Sequence, residues 1–118
     1  EGRGSEAEPF ADVPETLPAL LYARKLQRRD ASARGEDGDG EDAARALRVA
    51  ADELAGLLAQ GETAAPAADP SERERVERAL GELLFCTVDV ARRAQADPEL
   101  ALRAAAERFR ELKDSGAA

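Results

Sequence analysis

"LGELLFCTVDV", residues 80–90, decides the fold. Wound as a helix at about 100° per residue, it puts Asp89, Cys86 and Arg93 within about 40° of Glu82. Leu83, Leu84, Phe85, Val88, Val90 and Ala91 take most of the remaining circumference. A helix that is apolar nearly all round is expected to be covered on most sides. Its acidic stripe, Glu82 and Asp89, then faces a cleft, a partner or a metal rather than bulk water.

The surrounding composition agrees with helix. Ala, Leu, Glu and Arg dominate, and no run alternates apolar and polar residues as a half-buried strand does. The 118 residues suit one domain with a modest core, since there is no Trp or Met and few aromatic residues. A formal charge of −8 argues against a nucleic-acid partner and is compatible with binding metal cations. One cysteine excludes an internal disulfide and suits a reducing, cytoplasmic setting. The absence of histidine excludes Cys-His zinc sites and His-based acid-base catalysis. No apolar run reaches the roughly 20 residues of a membrane span, and no signal peptide is visible. The chain starts at Glu1 rather than Met, as a fragment of a longer protein would.

Working outward, residues 1–13 have no periodicity and read as a flexible tail or linker, from which Phe10 and Val13 can dock on the core. A first helix is expected over Leu17–Ala33 with Thr16 as its N-cap, ending before Gly35 and an acidic loop. A second is expected over Asp42–Gln60, with Gly61 at C′ and an apolar face of Leu47, Ala50, Leu54 and Leu57. A third opens on the capping box Ser71–Glu74 and runs to Gln95. A fourth opens on Asp97-Pro98, an N-cap followed by Pro at N1, and runs to Lys113. The helical domain therefore spans 14–113, with 114–118 disordered. The expectation is an all-α bundle of four helices.

Three uses of the acids stay open from spacing alone. They can be solvated. They can pair along the helix, Glu82 with Arg78 and Asp89 with Arg92 or Arg93. Or they can hold a metal together with Glu53 and Asp52 of the second helix, since facing carboxylates persist when a cation sits between them. "DGDGED", residues 37–42, fails as a calcium loop, because Asp42 stands where Gly is needed and Arg48 where the closing acid is needed. Cys86 reads as a small buried apolar residue, and the pair Arg92-Arg93 as the solvated end of a face.

Three ordered strings carry a resemblance. "DVPETLPALLYARKLQ", residues 12–27, is similar to D-V-P-x-x-L-P-A-L-x-x-A-x-K-I-Q. "LGELLFCTVDVAR", residues 80–92, is similar to M-G-D-L-L-F-A-x-V-N-L-A-R. "DPELALRAAAERF", residues 97–109, resembles a closing helix that ends A-N-x-K-F. Together they resemble the MazG family of all-α nucleoside triphosphate pyrophosphohydrolases, in particular its second domain, from Phe10 to Lys113. The resemblance implies a bundle whose core is completed by dimerisation or a higher homo-oligomer. It implies Mg²⁺ or Mn²⁺ held by E-E-x-x-E on one helix and E-x-x-D on the next. It also implies cleavage of an NTP or dNTP between the α and β phosphates.

Carried over residue by residue, the motif is incomplete. Asp52 and Glu53 fill its first two places, and Gly56 replaces the last acid of that helix. Ala79 replaces the Glu of E-x-x-D, while Glu82 takes the Asp place. The implied metal residues are thus Glu53, Glu82 and Asp52, with Asp89, at the family's Asn, as a further candidate. The implied nucleotide residues are Lys25 and Arg108 for phosphates and Gln27 near the base. "GEDG", residues 35–38, stands where the family has the aromatic-containing G-F-D-W, and Ala106 replaces the closing helix's Asn. No catalytic residue is assigned. Two readings follow: an enzyme with a weakened metal site, or a degraded domain that serves dimerisation or regulation of a partner domain. An unrelated helical adaptor is a third, and it predicts no nucleotide binding.

Overall fold

The computed structural model describes residues 10–35, 38–60 and 69–116. Four helices follow in chain order: α1 (Ala19–Arg34), α2 (Gly40–Gln60), α3 (Pro70–Arg93) and α4 (Pro98–Asp114). No strand occurs among the described residues. Among the described residues the fold is all-α with four helices, as the periodicity requires. The expectations for residues 1–9, for Gly61 as a C′ residue and for residues 117–118 lie outside the described residues.

The helix starts differ from expectation in an instructive way. α1 begins at Ala19 behind Pro18, with no side-chain cap, so Thr16 does not cap it. Residues before Pro18 form a turn instead, since a residue preceding proline is biased away from helical geometry. α2 begins earlier than expected because Asp39 accepts from the Glu41 amide at 3.0 Å. α3 is capped by Asp69, whose carboxylate accepts from Ser71 N at 3.1 Å, with Pro70 at N1. Ser71 lies inside the helix and is not the cap. The same Asp-Pro device starts α4, where Asp97 accepts from the amides of Glu99 and Leu100. Asp69→Ala is accordingly expected to lower stability by about 1 kcal/mol, and Ser71→Ala by only a few tenths. Urea unfolding of the two variants distinguishes the two caps.

Packing is dominated by the antiparallel pair α2 and α3. Small residues allow it: Ala43 and Ala50, seven apart on one face of α2, and Ala79 on α3 are all buried. Val88 is the one large side chain that is fully buried among the described residues. α1 lies against α3, and Arg93 at the end of α3 reaches back to the Gly38 carbonyl oxygen at the start of α2. Val13 docks on this core as expected, whereas Phe10 stays largely exposed. α3 turns into α4 through Gln95, a non-glycine residue at φ 59°, with Ala96 N bonded to the Ala91 carbonyl.

α4 is the outlier. It touches α1 and α3 only slightly, and every residue over 99–116 is exposed. Leu102 and Phe109 are each 62 % exposed and Leu112 is 50 % exposed. The expectation that α3 is covered on most sides also needs correction: Leu80, Leu84 and Phe85 remain exposed in the single chain. α1 and α2 cover one side of α3, and α4, which projects, covers little more. Among the described residues no helix is long and apolar enough to cross a membrane.

Candidate functional site

The antiparallel run of α2 and α3 leaves a groove of about 560 Å³ along their contact. Glu53 from α2 and Glu82 from α3 both line it. The helices do this because the small residues Ala43, Ala50 and Ala79 form the buried seam, which sets the carboxylates beside it. Two cations line the same groove, Arg45 and Arg78. Arg45 pairs with Asp42 at 2.6 Å across one helical turn. Asp52 is exposed on α2 and is not among the lining residues. Among the described residues, no three acidic or cysteine side chains stand close enough together to hold a metal ion by themselves.

The two missing acids of the motif have different fates. Ala79 is only 8 % exposed and belongs to the seam between α2 and α3. Gly56 is exposed, and no atom lies within 4 Å of where its β-carbon would stand. One position has become core; the other is an open helix surface.

The groove adjoins a second hollow of about 380 Å³, and Ala46 and Cys86 line both. Phe10, Leu26 and Phe85 form apolar walls there, and Gln27 and Asp89 line it too. Asp89 is held by Arg92 at 2.6 Å and by Arg93 at 3.2 Å. The acid thus pairs along its own helix, and Arg92, with a side chain only 12 % exposed, is not a solvated end of a face. Gln27 is buried on α1, with its Nε2 donating to the Phe85 carbonyl oxygen at 3.0 Å. Lys25 lines a separate cleft with Arg28 and Arg29, next to the Asp12–Arg29 ion pair. Arg108 is exposed on α4 and is not among the residues lining either hollow.

Sequence reasoning missed three contributors. Arg78 was legible only as an ion-pair partner for Glu82, yet it lines the groove. Phe10 and Phe85 supply aromatic walls that the loop 35–38 lacks. Phe10 is remote in sequence from the groove, so no local spacing could have found it.

Cys86, at the junction, is partly buried rather than fully buried. Desolvation raises its thiol pKa, and the charges of Glu82 and Asp89 raise it further. A raised thiol pKa means less thiolate at a given pH, so iodoacetamide alkylation should accelerate only at higher pH than for a free cysteine. Glu82→Gln removes one of the two charges, so alkylation near pH 8 should quicken by a few-fold, with burial still holding it back. Mass-spectrometric rates across about pH 7–10 check this.

No protein-family model matches the chain. Two relatives match most of its length. The chain is similar to nucleoside triphosphate pyrophosphohydrolases. Over 111 residues, 92 % of its length, it is 31 % identical to the protein of that name from Escherichia coli (strain K12). The same figures hold for the protein of that name from Escherichia coli O157:H7. The chain spans 39 % of the length of each of these relatives.

Proposed function

We propose that the chain is a MazG-family domain, similar to the second domain of that family, that hydrolyses nucleoside triphosphates to monophosphate and pyrophosphate. The observation that carries this reading is that Glu53 and Glu82, from antiparallel helices, line one groove that continues to Gln27 and two aromatic walls. Its likeness over nearly the whole chain to nucleoside triphosphate pyrophosphohydrolases supports it.

The donor set fits Mg²⁺ of a particular kind. Two carboxylates are too few for a closed metal cage. They match an ion that keeps several waters and is bound through one or two carboxylates plus substrate phosphates. Mn²⁺ suits the same oxygen donors. Glu53 and Glu82 would hold the ion, with Asp52 next to Glu53 as an outer contributor. Bound there, the ion neutralises phosphate charge and polarises a water. Arg78 and Arg45 set positive charge along the same groove, where a polyphosphate chain would lie. Phe10 and Phe85 offer faces to a base, and Gln27 offers an amide beside them. Lys25 and Arg108 act on phosphates in this reading only through parts of the site beyond the groove of one chain.

The domain works as a homodimer in this reading, because α4 leaves its apolar stripe uncovered. The formal charge of −8 argues against nucleic acid as a partner, and the lone thiol suits the cytoplasm. A second reading, a degraded domain that serves dimerisation or regulation, draws on one observation: Ala79 has been absorbed into the helix seam. Pyrophosphate release separates the two. The purified chain with Mg²⁺ or Mn²⁺ and a panel of NTPs and dNTPs is expected to release pyrophosphate, and the Glu53→Ala, Glu82→Ala double variant is expected not to. Equal background rates in both would leave the second reading.

A further inference from the structure

Arg78 lines the groove between α2 and α3, yet its side chain makes no ion pair or hydrogen bond among the described residues. Glu74 and Glu82 each stand four residues from it on α3, a spacing at which helix side chains can pair. Neither pairs with it. The other cation of the groove, Arg45, is taken up by Asp42 at 2.6 Å. Farther along α3, Asp89 is taken up by Arg92 and Arg93. Among its described residues the groove therefore holds two carboxylates without a cation, Glu53 and Glu82, and one guanidinium without an anion.

The place of that guanidinium follows from the helix pairing. α2 and α3 run antiparallel, and Arg93 near the end of α3 bonds the Gly38 carbonyl oxygen just ahead of α2. The start of α2 thus lies beside the end of α3. Arg45, Ala46 and Cys86 mark one end of the groove, where Ala46 and Cys86 also line the aromatic-walled hollow. Glu53 and Arg78 mark the other end. Arg78 stands eight residues before Cys86, about 12 Å along the helix axis, and Glu82 lies midway.

A nucleotide with its base against Phe10 and Phe85 would run its phosphates down the groove past Glu82. The phosphate farthest from the sugar then arrives at Arg78. A guanidinium matches such a phosphate in charge and can give it two parallel N–H bonds. A monophosphate ends nearer the hollow and falls short of it. We propose that Arg78 binds the terminal phosphates of a nucleoside triphosphate and so makes the groove select for the length of the phosphate chain. This inference rests on the nucleotide reading of the groove and adds to it the direction in which the nucleotide lies.

Calorimetric titration of the full chain in Mg²⁺ tests it. The probes are pyrophosphate, the four common nucleoside monophosphates, and the α,β-methylene analogues of their triphosphates, which resist cleavage. Arg78→Gln should weaken the triphosphate analogues and pyrophosphate by about 10-fold or more, because a charge-assisted contact is lost. Monophosphate affinity should stay within about 2-fold, since the inference gives that ligand no contact with Arg78. Arg78→Lys, which keeps the charge without the fork, should fall between. Arg78 is exposed and all three residue types suit a helix, so both variants should fold. Binding of Mn²⁺ alone, read by electron paramagnetic resonance, should not weaken in Arg78→Gln, because the change removes a positive charge beside Glu53 and Glu82. Equal losses for mono- and triphosphates, no loss for either, or weaker Mn²⁺ binding would overturn the inference and leave the nucleotide reading standing. If the wild type binds none of these probes, the nucleotide reading itself falls, and the role of Arg78 falls with it.

Discussion

Replacing Leu102 and Phe109 by Asp is expected to turn a dimer into a monomer. On α4 the residues Leu102, Ala105, Phe109 and Leu112 are spaced three and four apart, so they form one stripe. That stripe has no cover in the single chain: Leu102 and Phe109 are each 62 % exposed. Most of a helix's stability in a protein comes from packing its apolar face, which this 17-residue helix lacks in the single chain. Burying each Leu or Phe against a second copy contributes about 1.5–3 kcal/mol, and twofold symmetry counts each position twice. Introducing two carboxylates per chain removes this gain and adds desolvation, so the dissociation constant should rise by at least about 1000-fold. Sedimentation velocity of the wild type should give twice the chain mass, and the double variant should give the chain mass. Glu107→Ala, off the stripe, should leave the dimer intact. A wild-type chain that sediments as a monomer at high concentration would sink the idea.

The second large effect is a gain. Gly56→Glu should raise pyrophosphate release about 10-fold at limiting Mg²⁺, because a third carboxylate raises both ligand count and charge at the groove. Space permits it, since nothing lies within 4 Å of the missing β-carbon. Helix propensity also favours it, because Gly in a helix interior costs about 0.5–1 kcal/mol relative to Ala. The variant should therefore unfold at slightly higher urea even as it becomes more active. Ala79 is no substitute position. It is buried in the α2–α3 seam, and a carboxylate there would be desolvated against apolar neighbours. The Glu53→Ala, Glu82→Ala double variant should lose at least about 100-fold of the wild-type rate, a barrier increase of roughly 2.7 kcal/mol. A Gly56→Glu protein with unchanged metal dependence would show that the groove is no metal site.

Local signals proved reliable where they are complete within a few residues. Asp97-Pro98 was legible as a helix start because cap and proline stand side by side. The same pair at Asp69-Pro70 was hidden behind Ser71–Glu74, which satisfies the capping-box pattern without forming it. Two caps two residues apart compete, and the chain takes the one whose next residue, proline, already has helical φ. The pairing of Asp89 with Arg92 and Arg93 was legible for the same reason, being set by three- and four-residue spacing. The burial of those arginines was not, since it depends on what α1 and α2 bring over the end of α3.

By itself the sequence determined the all-α class, the order and approximate ends of the helices, and the acids Glu53 and Glu82 as a pair worth bringing together. These follow from periods of 3.6 residues and from short-range caps, which a chain expresses whatever its partners are. Only the tertiary structure decided that Ala79 is core while Gly56 is open, and that Arg78 shares the groove. It also decided that Phe10 and Phe85 wall a pocket that Gln27 also lines, and that α4 stands uncovered. Those outcomes depend on which helix faces meet. Helices built on so many alanines can approach closely on several faces, so the seam is fixed by the packing of the whole rather than by any one stretch.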